Sequence, residues 1–105
     1  MLGSVNPLGR LVGPRIVRSE HVLDYLQIEF ETGAILSVYN SLLPPAPDVA
    51  SFLGQALESF TSTDTRLALC FTNHAVLVVD LSDAGCLGPE AMELSEPGQP
   101  IVVWP

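Results

Sequence analysis

From Tyr25 to Glu31 the chain alternates without a break, with Leu26, Ile28 and Phe30 apolar and Gln27, Glu29 and Glu31 polar between them. A period of two puts the first set on one face of a β-strand and the second on the other, one toward a core and one toward water. Ala34, Leu36 and Val38 resume the apolar set after a short interruption, which predicts the returning strand of a hairpin. A two-residue loop would pair Phe30 with Ile35 and set Leu36 beside Glu29, mixing the faces. A three-residue loop, Glu31 to Gly33, pairs Phe30 with Ala34 and Ile28 with Leu36, and its last position needs the left-handed conformation that glycine supplies.

The pattern occurs twice. Displacing the chain by 41 residues lays Leu26, Ile28, Phe30, Ala34, Leu36 and Val38 on Leu67, Leu69, Phe71, Ala75, Leu77 and Val79. Gly13 falls on Gly54 and Ile16 on Leu57 in the same register. The second loop is then Thr72 to His74, with His74 in the place of Gly33, and histidine is among the residues enriched at positive φ. In this copy Val76 and Val78 fill the face that Ile35 and Ser37 occupy in the first, so the strand reads as central and buried on both sides.

Around the copies the signals are shorter. Met1 to Gly9 reads as irregular chain, and Leu11 to Val22 as a first strand in which Pro14 forces an edge or a bulge. Ser19 to Asp24 is expected to hold the turn into the hairpin, and Leu42 to Pro47, with three prolines, to run extended. Asp48 is placed as an N-cap. Val49, Phe52, Leu53, Ala56, Leu57 and Phe60 recur at helical spacing, whereas the repeat aligns Phe52 to Leu57 with a strand. Both signals are met by a short helix that ends near Gly54, followed by a strand. Gly88 to Glu90 reads as a turn or a single helical turn with Pro89 at its first position, and Met92 to Leu94 with Ile101 to Trp104 as a last hairpin around Glu96 to Gln99, a Pro-Gly turn of type II character. The predicted fold is α+β and mainly β, an antiparallel sheet built from two repeated strand-plus-hairpin units (11–40 and 52–81) with one short helix and a C-terminal hairpin, all in one domain, 1–105.

Charge changes the picture more than composition does. Twelve acidic residues face four arginines and no lysine, for a net charge of −8 and a pI near 4.3. Such a field repels polyanions and attracts cationic partners, which argues against nucleic acid. From Leu67 to Pro105 there is no basic residue at all. Asp80 breaks the longest apolar run, so no transmembrane segment is expected, and the N-terminus lacks the basic start and apolar core of a secretory signal; these point to a cytoplasmic protein. Cys70 and Cys86 are expected to be free thiols, since their spacing matches neither a disulfide framework nor a zinc site.

No residue constellation announces a chemistry. Gly3 to Arg10 has the glycines of a phosphate loop but neither the spacing nor the lysine, and there is no Gly-x-Ser-x-Gly elbow. Cys70 and His74 straddle a hairpin bend with no third group to orient the imidazole. His21 and His74 are too few for a histidine metal site. Glu29 and Glu31 share a strand face that makes no cleft, which favours an exposed acidic stripe over a general acid and base pair. Neither catalysis, cofactor nor metal is expected. Tyr39 and Trp104, aromatic with a polar handle, suit an interface, although Trp104 also suits the margin of a core.

The Asp-Tyr-Leu-Gln-Ile-Glu-Phe-Glu-x-Gly hairpin (Asp24 to Gly33), the Gly-Pro-Glu-Ala-Met segment (Gly88 to Met92) and the closing Val-Val-Trp (Val102 to Trp104) make the chain resemble bacterial immunity proteins against polymorphic toxins, including the contact-dependent growth inhibition type. The resemblance implies stoichiometric occlusion of a cognate toxin, many of which are nucleases with basic clefts. Glu29, Glu31, Asp80, Asp83, Glu90, Glu93 and Glu96 are then the residues expected to meet toxin lysines and arginines. A self-associating structural or adaptor domain is the alternative, a homodimer formed around Tyr39 and Trp104 or along the open edge of the first strand.

Overall fold

The hairpin forms with the longer of the two loops. In a computed structural model that describes residues 7–22, 25–43, 48–82 and 91–104, β1 (Ile16–Val22), β2 (Tyr25–Phe30) and β3 (Ile35–Val38) run as an antiparallel meander. Ile28 lies opposite Leu36, and the Phe30 N–H donates to the Ala34 carbonyl at 2.8 Å. Gly33 takes φ 90°, and His74, in the equivalent place, takes φ 69°. The short β4 (Leu42–Leu43) follows.

The second meander, β5 (Leu57–Ser62), β6 (Arg66–Phe71) and β7 (Val76–Asp80), repeats the first position by position. Even the irregularities match. A bulge falls between Ile16 and Arg18 in β1 and between Leu57 and Ser59 in β5. Each meander is preceded by a short 3-10 turn, Pro7–Leu11 and Val49–Phe52, whose last residues, Leu11 and Phe52, are buried. The second is the short helix foreseen before Gly54, and Gly54 has positive φ.

The meanders belong to separate sheets that exchange strands. β4 follows β3 in the chain but pairs with β7, while β8 (Met92–Ser95), which comes after β7, pairs with β3. β9 (Val102–Trp104) completes the orders β1-β2-β3-β8-β9 and β4-β7-β6-β5. The β8–β9 turn has the predicted type II signature, with Gly98 at φ 73° and the Gln99 N–H donating to the Glu96 carbonyl.

The inward faces of both sheets form a single apolar core. Phe30 and Phe71 occupy equivalent places in it, and Phe52 stacks at a tilt on Phe71 with ring centroids 4.7 Å apart. Reciprocal backbone bonds join the halves: the Gly13 N–H donates to the Leu57 carbonyl and the Gly54 N–H to the Ile16 carbonyl. When residue i contacts j′ and i′ contacts j, the two units are related by an approximate twofold axis.

Several local expectations fail. The first strand begins at Ile16 rather than Leu11, and the Asp48 side chain makes no capping hydrogen bond. Ser19 to Val22 continue β1 rather than turning, because the bulge re-aims that strand and lets Ser19 sit opposite Ile28. β7 is central in its sheet, but its second face is not covered, since Val76 is 50% exposed and Val78 only half-buried. The Gly88 to Glu90 turn and the prolines at 44, 45 and 47 lie outside the described residues.

The two loops provide an internal control. At Gly33 a Cβ would come 3.0 Å from Pro97 Cγ, so Gly33→Ala is expected to lose about 1–2 kcal/mol in a urea titration, from positive φ alone and more from the contact. His74→Gly removes a side chain from positive φ and is expected to stabilise by up to about 1 kcal/mol. A neutral Gly33→Ala or a destabilised His74→Gly would contradict the loop geometry.

Candidate functional site

The outward positions of the five-stranded sheet hold the acidic stripe together with its counter-ion. Arg18 on β1 lies opposite Glu29 on β2. Its Nε donates to Glu29 Oε1 at 2.9 Å, its Nη1 pairs with Glu20, and both terminal nitrogens reach Gln27 Oε1 at 3.3 Å. The hydrogen bond to Glu29 is the main cause that raises the Arg18 pKa above its ordinary value. Neither Arg18 nor Glu20 was singled out from the sequence, because the bulge, which sets their register against β2, leaves no mark in the alternation.

Most of the nominated acids have work inside the fold. Glu31 accepts the Arg15 N–H at 2.7 Å, and in the second copy the Thr72 hydroxyl accepts the Ala56 N–H at 3.1 Å in the same manner. Either side chain therefore satisfies a backbone donor just ahead of the bulge. Glu96 is gripped by Arg10, with Nη2 to Oε1 at 2.6 Å and Nε to both oxygens. That hydrogen bond raises the Arg10 pKa. Their pair flanks an open cleft of about 310 Å³ that also touches Thr32, Ala34, Pro97 and Gln99.

Asp80 accepts from the Ser82 hydroxyl at 2.6 Å and the Ser82 N–H at 2.9 Å, and it sits across the ladder from Arg66. Glu93 is different. It lies beside Ser37 on the outer face, and its nearest polar contact is the Tyr39 hydroxyl at 3.4 Å, too long to be strong. Tyr39 packs its ring against Tyr25 with centroids 5.2 Å apart, so Tyr25, Tyr39 and Glu93 form an aromatic and acidic cluster on one sheet face. Trp104 sits opposite Met92 and is packed against the core margin. Asp83 and Glu90 lie outside the described residues.

The structure brings Glu29, Glu93 and Tyr39 onto one face, ties Glu31 at the hairpin loop to the Arg15 amide, and sends Asp80, Glu96 and Trp104 elsewhere. Among the described residues no three His, Cys, Asp or Glu side chains converge as a metal set would, and no helix is long and apolar enough to cross a membrane. Cys70 is a free thiol on the outer face of the second sheet, while His74 is held in the hairpin loop.

Asp80 gives the fold an acid sensitivity. The Ser82 hydroxyl and N–H hold its carboxyl below the ordinary 3.8, with Arg66 adding to the effect. Its contribution to stability is therefore complete above the unfolded value and is lost as pH falls through the lower folded one, where the folded chain finally takes up the proton. Urea titrations from neutral pH down through the carboxylate range are expected to show a shallower loss of stability in Asp80→Asn than in the parent chain; parallel curves would contradict the assignment. Comparison with protein-family models, with curated proteins and with solved structures finds no match to this chain.

Proposed function

We propose that this protein neutralises a cationic partner by binding it, as an immunity protein neutralises its toxin, and that the partner is the basic nuclease-type domain of a polymorphic toxin. The observation that carries this reading is the surplus of negative charge left once the internal pairs are made. Arg10 and Arg18 are spent on Glu96, Glu29 and Glu20, and Arg66 faces Asp80, in a chain of net charge −8. Among the described residues, Glu93 has no cation paired with it, and Asp48, Glu58 and Asp64 are exposed without an ion pair. Opposite charge speeds capture and sets register more than it adds affinity.

The outer face of the five-stranded sheet is the proposed docking surface. Acids alone would give a diffuse attraction. Here Tyr25 and Tyr39 add rigid aromatic area beside Glu93, the combination that anchors an interface. Binding is by occlusion, with no turnover.

The reading predicts that the adjacent upstream reading frame encodes a large secreted protein with a variable C-terminal domain, and the test uses that domain. Calorimetry is expected to give one-to-one binding that weakens as salt rises. Glu20→Lys with Glu93→Lys should lose about tenfold in affinity and flatten the salt dependence. Glu20 pairs with Arg18 at the surface, whereas reversing Glu31 or Glu96 would break the bond to the Arg15 amide or the pair with Arg10 that joins distant parts of the chain. No binding, or affinity indifferent to both substitutions and to salt, would contradict the reading.

A further inference from the structure

The outer faces of the two sheets have diverged in charge. On the first, the outward positions include Arg18, Glu20, Glu29 and Glu93. On the second, the registers Ser59–Cys70–Val76 and Thr61–Ala68–Val78 run across β5, β6 and β7. None of these six side chains is charged, and none is buried. One row closes the face at the β5–β6 turn, where Arg66 lies opposite Asp80, a single cation beside a single anion.

We propose that this face docks against the same face of a second copy of the chain, sheet on sheet about a twofold axis. The argument is electrostatic. Two molecules of net charge −8 repel one another over most approaches. An approach through this face instead brings together small and branched uncharged side chains, of the kind that interdigitate when sheets pack about 10 Å apart. The Arg66–Asp80 row is neutral and self-complementary, because under a twofold Arg66 of one copy can face Asp80 of the other. The exposed acids nearest to it, Glu58 at the β5 edge and Asp64 in the β5–β6 turn, lie at its margin rather than in its two uncharged rows.

Edge-to-edge association is the less favourable route. Of the four edge strands among the described residues, β1 and β5 each carry a bulge, β5 also carries the exposed Glu58, and β4 and β9 are only two and three residues long. The face is small. Three rows of side chains over three strands span about 20 by 14 Å, or about 300 Å² per copy, well under the 800 Å² of a standard interface. The dimer is therefore weak and reversible. It leaves the acidic face of the other sheet open, so it stands or falls independently of the toxin reading.

Sedimentation equilibrium of the full chain under reductant tests this. The weight-average mass is expected to rise above the monomer's 11.2 kDa as concentration climbs toward about a millimolar, where an association worth about 4 kcal/mol becomes visible. Raising salt from about 0.05 to 0.5 M should strengthen association, since screening removes the repulsion between copies and leaves the apolar contact. Val78→Lys and Val76→Lys should each hold the protein at monomer mass with an unchanged melting midpoint. Should Val78→Lys fail to fold, Val76→Lys decides, since Val76 is already half exposed. A parent chain that stays monomeric throughout, association that salt weakens, or lysine variants that dimerise as the parent does would each overturn the proposal.

Discussion

The structure depends on the reciprocal contact between its two halves. The Gly13 and Gly54 amides reach across to the carbonyls of Leu57 and Ile16, and each meander receives its next strand from chain that follows the other one. Neither half is complete alone. Without β8, β3 would be an edge with its carbonyls and amides open; without β4, so would β7. An unpaired edge over an apolar face is costly and adhesive, so the exchange both closes the ladders and joins the core. Asn40, almost fully buried where the chain leaves β3, helps to fasten the crossing by donating its side-chain amide to the Asp80 carbonyl at 2.9 Å.

With the inward faces held in register by that contact, the outward faces were free to differ. Glu29 in the first copy corresponds to Cys70 in the second, and Glu31 to Thr72. The last pair shows how far a position can change and keep its task, since carboxylate and hydroxyl both accept the same backbone donor. The first pair shows the reverse. Glu29 binds Arg18 and belongs to a charged surface, whereas Cys70 lies in an uncharged one. One duplicated frame thus presents two chemically distinct faces, one carrying Arg18, Glu20, Glu29 and Glu93 and the other with uncharged rows across β5, β6 and β7.

The hairpins, their loop length, the short helical turn before Gly54 and the type II turn were readable because each depends on a few neighbours in sequence: a period of two, a glycine at positive φ, a Pro-Gly pair. The division into two sheets was not, because β4 and β8 are chosen by partners far along the chain and their own residues carry no sign of the exchange. The same limit applied to the surface. Glu96 and Asp80 looked like free acids until the fold set them beside Arg10 and Ser82. Val76 and Val78 looked like core because an apolar residue has the same pattern whether or not another layer covers it.

Native-state hydrogen exchange tests the mutual dependence of the halves most directly. The informative amides are Ile16, which donates to the Gln55 carbonyl, Tyr39, which donates to Ala91, and Asp80, which donates to Ser41. All three bonds join one half to chain from the other. If the halves form one cooperative unit, these amides exchange only through global unfolding, with a common free energy equal to that from urea titration. Exchange of one half's amides at a markedly lower free energy, while the other stays protected, would show that the halves fold independently and would contradict the account.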